Sequence, residues 1–449
     1  VTLTFRSAML ALAGVVVVAF VVPSRAGILL VTSGVVLFAL VDVWLAGPVR
    51  PLRFVRKTGG PGGTGAYAGS SGATSATTSV RLGEAVEVRL LVTNPGRRAV
   101  RGLLRDAWPP SAGAVTERHP LELPGGERRR ITTVLRPTRR GDRQAHRVTV
   151  RSLGPMGLAG RQGSHEVPWT VRALPPFDSR KHLPSRLARL RELDGRASVL
   201  VRGQGTEFDS LRDYVVGDDV RSVDWRATAR RGAVVVRTWR PERDRHVLVV
   251  LDTGRTSAGR VGDAPRLDHS MDAALLLAAL ATRAGDRVDL MAFDRRVRAD
   301  VRRAAPHDVL PRFTAAMAPL GSELVEADHR GLVSAIAARA SQRSLVVLLT
   351  GLDAAVIEEG LLPVLAPLVR KHEVCVAAVA DPAVEALARG RGDAAAVYAA
   401  AAAEQARVER RHVTVLLERL GVTVVDEPPD RIAPALADTY LALKKAGRL

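Results

Sequence analysis

The spacing of apolar residues changes character along the chain, and each change marks a different kind of element. Residues 8–22, AMLALAGVVVVAFVV, carry no charge. After Pro23, Ser24 and Arg25, a second apolar run, 26–47, carries only Asp42. The second run meets the length of roughly 20 residues that a membrane-crossing helix needs. The first does so only if Leu3 to Ser7 extend it. A cleaved signal peptide is the alternative for the first run, but the adjoining second run favours a transmembrane α-hairpin over residues 1–57. Arg6 precedes the first span, Arg50, Arg53, Arg56 and Lys57 follow the second, and only Arg25 lies between them. Basic flanks stay on the cytoplasmic side, so both ends of the hairpin are expected there, with Trp44 at the interface.

Residues 58–79 are mostly Gly, Ser, Thr and Ala, the composition of a flexible linker. From 80 to 176 apolar and polar positions alternate, as in VRLGEAVEVRLLVTNPG, with turn signals at Asn94-Pro95-Gly96 and Pro124-Gly125-Gly126. Short strands between such turns predict an immunoglobulin-like β-sandwich. Over 246–449 continuous apolar strands alternate with helical periods. The pattern predicts strands at 246–252, 286–294, 296–302, 344–350, 373–380 and 422–426. It predicts helices at 266–284, 307–318, 329–340, 355–371, 393–420 and 430–445. Strands this apolar are buried on both faces, as in a parallel sheet wrapped by helices. Such sheets place functional groups at the carboxyl ends of their strands, where Asp252, Asp294 and Thr350 fall.

The segment 177–245 follows neither period. Its centre, 202–240, reads RGQGTEFDSLRDYVVGDDVRSVDWRATARRGAVVVRTWR. Gly203, Gly205 and Gly217 mark tight backbone. Glu207, Asp209, Asp213, Asp218, Asp219 and Asp224 supply carboxylates, and Arg212, Arg221, Arg226, Arg230 and Arg231 supply guanidinium groups. Charge is costly to bury unpaired, so the stretch reads as a packed loop. Arg212 and Arg221 are expected to pair with Asp218 and Asp224. Phe208, Leu211, Tyr214 and Trp225 are expected to be buried beside the strand end at Asp252.

At 449 residues and 47% hydrophobic content the chain has room for two or three domains. The net charge of +20 invites a nucleic-acid reading. However, the basic residues are nearly all Arg and no basic run is interleaved with aromatics, as a single-strand binder would need. No specific nucleic-acid partner is expected, while an anionic lipid bilayer suits the charge. Cys375, the single cysteine, sits in the apolar run VCVAAVA and reads as a core residue rather than a reactive thiol. Gly203-Gln204-Gly205 lacks the Lys-Ser/Thr of a phosphate loop. The histidines show no zinc spacing. The Ala-rich run 394–403 reads as helix propensity alone. Asp218, Asp219 and Asp224 have the makings of a metal-nuclease cluster, but the interspersed arginines favour salt bridges.

GQGTEF, LRDYVVGDDVRSVDWRATARRG and the following VLDTGRTS resemble the bacterial domain of unknown function (DUF) 58 family. RRGDRQAHRVTVRSLGPMGLAGR is similar to that family's Arg-Gly, strand and Pro-x-Gly-Leu turn. The resemblance covers essentially the whole chain after the linker. It implies a membrane hairpin and a β-sandwich joined to a von Willebrand factor A-like domain. It also implies a partner class, MoxR-type AAA+ ATPases and neighbouring transglutaminase-like membrane proteins, and no settled reaction.

A-type domains often hold a divalent metal through Asp-x-Ser-x-Ser, a Thr in a second loop and an Asp after a later strand, oxygen donors suited to Mg²⁺. Here Asp252 and Thr256 match the first motif, but Gly254 has lost its hydroxyl. Ser322 stands where a Thr is usual, and Gly351 follows Thr350 where an Asp is usual, with Asp353 shifted. Arg255 adds a cation. The expected cofactor is therefore none, with weak or no Mg²⁺ binding at Asp252, Thr256, Ser322 and Thr350. The expected function is a membrane-anchored cytoplasmic scaffold whose A-like domain docks its partner. Gly203 to Arg231 would form the docking platform, through Glu207 and Arg230 in particular. The alternatives are a metal-dependent hydrolase using Asp252 with Asp218 or Asp224, and an Arg-rich binder of anionic lipid or nucleic acid.

Overall fold

The computed structural model describes residues 2–21, 23–58, 68–69, 77–200, 207–240 and 245–449, without the side chains of 58, 68–69, 194–200, 207–210 and 238–240. Most of the expected linker, together with Gly203 and Gly205, lies outside the described residues. The chain divides into two compact units, Val1–Leu174 and Pro175–Leu449.

The first unit opens with two apolar helices, α1 (Phe5–Phe20) and α2 (Arg25–Leu45). Ser24 caps α2 by accepting a hydrogen bond from the Gly27 amide. Gly14 permits close packing of the pair, since a Cβ there would lie 2.6 Å from Val31 Cγ1. Arg25–Leu45 is long and apolar enough to cross a membrane, whereas α1 has 16 residues. Asp42, the one acidic residue in α2, is fully buried. Its carboxylate accepts from the amides of Met156 (2.9 Å), Leu158 (2.7 Å) and Ala159 (2.9 Å). The Pro-x-Gly-Leu turn is thus a cradle for the end of this helix. Thr4 donates to the carbonyl of Gly157 in the same turn (2.6 Å), so the start of α1 and the end of α2 meet there.

The longer strands of this unit are β1 (Arg53–Thr58), β2 (Thr77–Arg81), β3 (Val86–Thr93), β4 (Val100–Asp106), β5 (Arg118–Leu123), β6 (Arg128–Leu135), β7 (Gly141–Leu153) and β8 (Ala159–Leu174). One sheet runs β8-β7-β4-β5 with β2 on β8, and the other runs β1-β3-β6. The period-two pattern sends Phe54, Leu90, Val92, Leu104, Val148 and Val150 into one core shared by strands of both sheets. The alternating pattern starts this domain at Val80 and places 53–57 with the hairpin. In the structure Arg53–Thr58 pairs antiparallel with Val86–Thr93. Three basic residues masked its alternation, and one of them, Arg56, points inward. Arg56 and Asp106 pair at 2.5 Å with neither side chain exposed. Trp108 Nε1 and Thr133 Oγ1 also donate to Asp106.

In the second unit α3 (Leu183–Leu200) comes first. Its Leu190 is buried in the main core, with Leu183, Leu187 and Leu193 packed against it. Residues 177–245 are expected to be a signature segment leading into the α/β domain; in the structure these leucines are part of that domain's core. Next come β9 (Glu207–Asp213), α4 (Trp225–Arg231) and β10 (Val235–Arg240), with β9 and β10 forming their own antiparallel two-stranded sheet.

The α/β core follows in chain order: β11 (His246–Asp252), α5 (Arg266–Arg283), β12 (Arg287–Phe293), β13 (Val297–Val301), α6 (Val309–Met317), α7 (His329–Arg339), β14 (Leu345–Leu349), α8 (Leu362–Lys371), β15 (Glu373–Val379), α9 (Pro382–Ala388), α10 (Ala394–Arg419), β16 (Thr423–Glu427) and α11 (Ile432–Lys445). The sheet order is β13-β12-β11-β14-β15-β16, parallel throughout except for β13. Val247, Val249 and Leu251 face the core built with α5 and α11, and Leu248 and Val250 face the core built with α7, α8 and α10. This two-sided burial is why the strands read as unbroken apolar runs. Two elements differ from the expectation. A widened π-helical turn, Val356–Leu361, precedes α8. The short α9 begins at Pro382 with Asp381 as its cap, too brief to show a period.

Candidate functional site

The strand order reverses between β11 and β14. Such a switch point opens a crevice at the carboxyl ends of the strands. Asp252 closes β11 and Thr350 follows β14, so the topology brings together residues nearly a hundred positions apart. Thr256 and Thr350 each donate their hydroxyl proton to Asp252 Oδ2 at 2.6 Å. The Gly254 amide donates to Oδ1 at 2.7 Å. The cluster is therefore a clasp joining the loops after two central strands. A cavity of about 20 Å³ adjoins it, lined among others by Asp252, His329, Phe293 and Thr350, with room for one water-sized group. Burial pushes the His329 imidazole below its ordinary value, against the opposing pull of Asp252, Asp328 and Glu326.

A second network supports the first. Thr253 Oγ1 donates to Asp294 Oδ2 (3.1 Å), and Arg298 spans from Asp294 (2.7 Å) to Glu323 (3.1 Å). Burial alone would raise the Asp294 carboxyl. The amides of Arg295 and Arg296 and the Arg298 guanidinium outweigh it and hold the group below the usual carboxylate range. The loop 319–328 is pinned by backbone bonds from Glu323 N to Thr253 O (2.8 Å) and from Arg255 N to Val325 O (2.9 Å). It presents Leu324, which is 80% exposed. Arg255 stands beside this loop, 3.3 Å from Glu326.

The donor set does not fit a resident divalent ion. Asp252, Thr256 and Thr350 converge, but Gly254 and Gly351 supply no ligand, and no hydrogen bond ties Ser322 to the cluster. Asp353 brings its Oδ2 to 2.7 Å from where a Cβ on residue 351 would stand, but Arg266 Nη1 lies 3.8 Å from the same point. Among the described residues no three His, Cys, Asp or Glu side chains group as metal ligands.

The signature stretch differs from its expected form. It is a β-hairpin carrying a short helix, and its apolar side chains face solvent. Trp225 is 67% exposed, Tyr214 is exposed and Leu211 is half-buried. Val235 and Val236 are the buried residues instead. Arg212 pairs with Asp218 at 2.5 Å, as expected. Arg221 does not pair with Asp224, which caps α4 through the amides of Arg226 and Ala227 and binds Arg237 at 2.8 Å. Gly217 and Gly232 adopt left-handed backbone, as the turns flanking the helix require. Arg221 and Arg230 are exposed. Only the backbone of Glu207 and Phe208 is described. Asp218 and Asp224 are both engaged within their own lobe, by Arg212 and by Arg237 and the start of α4.

One cluster escaped sequence reasoning. At the amino ends of the strands His246 lies 2.9 Å from Ser344 Oγ and 3.0 Å from Asp289 Oδ2. Ser344 donates its own proton to the Gln342 carbonyl, and all three side chains are buried. A serine so occupied and enclosed is a structural link between strands. Burial likewise pushes the Cys375 thiol up to about 12, with the Glu373 charge adding to the effect, which makes it inert.

A reversed strand order, a single antiparallel edge and an Asp-Thr-Thr clasp at the switch point define a von Willebrand factor A-like domain. The model of the family described as protein of unknown function DUF58 matches residues 210–416, so the resemblance carried by the signature is borne out over that stretch. Similar solved structures include the VWA domain of SpRpn10, at 12% identity and TM-score 0.28, covering 43% of this chain and 94% of that one. They also include the conserved hypothetical protein BatB from Bacteroides thetaiotaomicron, at 14% and 0.30, covering 44% and 98%. A mutant PilB minor pilin from Streptococcus sanguinis, at 10% and 0.30, covers 89% and 79%. No curated protein sequence matches the chain.

Proposed function

We propose that the protein is a membrane-anchored scaffold that docks a protein partner at the carboxyl end of its A-like sheet. Leu324 carries this reading. A large apolar side chain that is 80% exposed, on a loop pinned at both Glu323 and Val325, is a preformed anchor rather than a floppy tip. Arg255 beside it adds the residue type that, with aromatics, dominates interface energetics. The Asp252 clasp, closed by Thr256, Thr350 and the Gly254 amide, gives this end rigidity, which suits a docking surface. The helix Arg25–Leu45 is the proposed anchor, in the bacterial cytoplasmic membrane with the soluble parts cytoplasmic. The proposed partner class is a MoxR-type AAA+ ATPase or a neighbouring membrane protein, as the family resemblance implies.

The test is co-purification of the full chain with a MoxR-type ATPase, with and without ATP. Leu324→Asp combined with Arg255→Ser should cut capture roughly tenfold or more and leave the unfolding temperature unchanged. Undiminished capture by a folded double variant overturns this surface as the docking site.

A further inference from the structure

The hairpin lobe of β9, β10 and α4 presents apolar surface that its own fold does not use. Val216 is the most exposed large hydrophobic side chain among the described residues, at 94%, and Val215, Val220 and Trp225 are exposed with it. The Val215-Val216 tip is held in place. Asp218 accepts from the Val215 amide at 2.9 Å and binds Arg212, and the Asp218 amide bonds back to the Val215 carbonyl. Asp218 and Asp224 are thereby neutralised within the lobe. Among the described side chains, Arg221, Arg226, Arg230 and Arg231 face solvent without an ion-pair partner, against the exposed carboxylates of Asp213 and Asp219.

We propose that this lobe docks on an anionic phospholipid surface. Val215, Val216, Val220 and Trp225 enter the interface, and the four arginines meet lipid phosphates. Aliphatic and indole side chains among arginines form the composition of interfacial membrane segments. The planar guanidinium pairs phosphate through two parallel hydrogen bonds. The chain's own apolar helix, Arg25–Leu45, supplies the tether. In this the inference rests on the anchoring proposed above, because a tethered lobe meets the bilayer at high effective concentration.

The test uses the full chain reconstituted in phosphatidylcholine vesicles with or without phosphatidylglycerol. An environment-sensitive fluorophore is placed on Val216→Cys, and the buried, inert Cys375 leaves that site uniquely reactive. Brominated lipids should quench the label only when phosphatidylglycerol is present. Arg230→Gln with Arg231→Gln should reduce the engaged fraction roughly fivefold per residue, and a label on Ala402→Cys should stay unquenched. A Val216→Cys label that remains in water in anionic vesicles overturns the proposal and returns the surface to a protein partner. Equal quenching in neutral vesicles also overturns it, since the arginines would then play no part. Protein that does not float with vesicles marks failure of the anchor; protein that floats with an unquenched label marks failure of the lobe.

Discussion

At the scale of single residues, charges in this protein act chiefly as structural joints. Asp42 ends an apolar helix and is held by three amides of one turn. Gly154 makes the approach possible, since a Cβ there would fall 2.1 Å from Asp42 Oδ1. Arg56 and Asp106 lie wholly inside the β unit, and burial pulls the Arg56 guanidinium below its ordinary value against the opposing pull of Asp106. The size of the desolvation cost decides what mutation should do. Arg56→Ala strands a buried carboxylate and should destabilise the first unit by about 3–5 kcal/mol. Arg56→Met with Asp106→Leu removes both charges and should cost far less. Chemical denaturation of the two variants checks this, and equal losses would mean that packing rather than charge governs the site.

At the scale of elements, the signature hairpin shows how local chemistry and burial separate. Asp219 and Asp224 cap their turns, Gly217 and Gly232 close them, and Val235 and Val236 tuck inward. The caps and the glycine turns follow from short-range rules; the burial of Val235 and Val236 does not. The aromatic anchor expected at Trp225 does not follow, because a large aromatic serves equally as core or as contact surface. Trp225→Ala should therefore change stability by less than about 0.5 kcal/mol, the usual scale of surface substitutions. The loss of about 3–5 kcal/mol typical of a core aromatic is not expected. Val236→Ala, at a buried position, should cost more than Trp225→Ala. Thermal unfolding that ranks the two the other way would put Trp225 back in a core.

At the scale of the whole molecule, a β unit and an α/β unit each have their own core, and the apolar helices belong to the first. Thr4, before the first helix, and Asp42, near the end of the second, bind one turn, so the outer ends of the two helices meet, as the expected hairpin requires. A periplasmic-activity reporter such as alkaline phosphatase should stay inactive when fused after Leu174 and become active when fused after Ser24. Activity after Leu174 would reverse the orientation derived from the basic flanks.

The sequence by itself determined the α/β core almost strand for strand. Strands buried on both faces must be continuously apolar, and helices must show their own period, so both announce themselves locally. It also determined which residues line the switch point, since Asp252 and Thr350 end apolar runs. Only the tertiary structure decided that the hydroxyls of Thr256 and Thr350 close on Asp252, that Arg56 faces inward, and that α3 joins the A-like core. Only the tertiary structure turned the signature aromatics outward. The physical reason is the same in each case. Period and turn chemistry are set by neighbours a few residues away, whereas the partner of a charge and the cover over an apolar side chain come from whichever distant element the fold brings alongside.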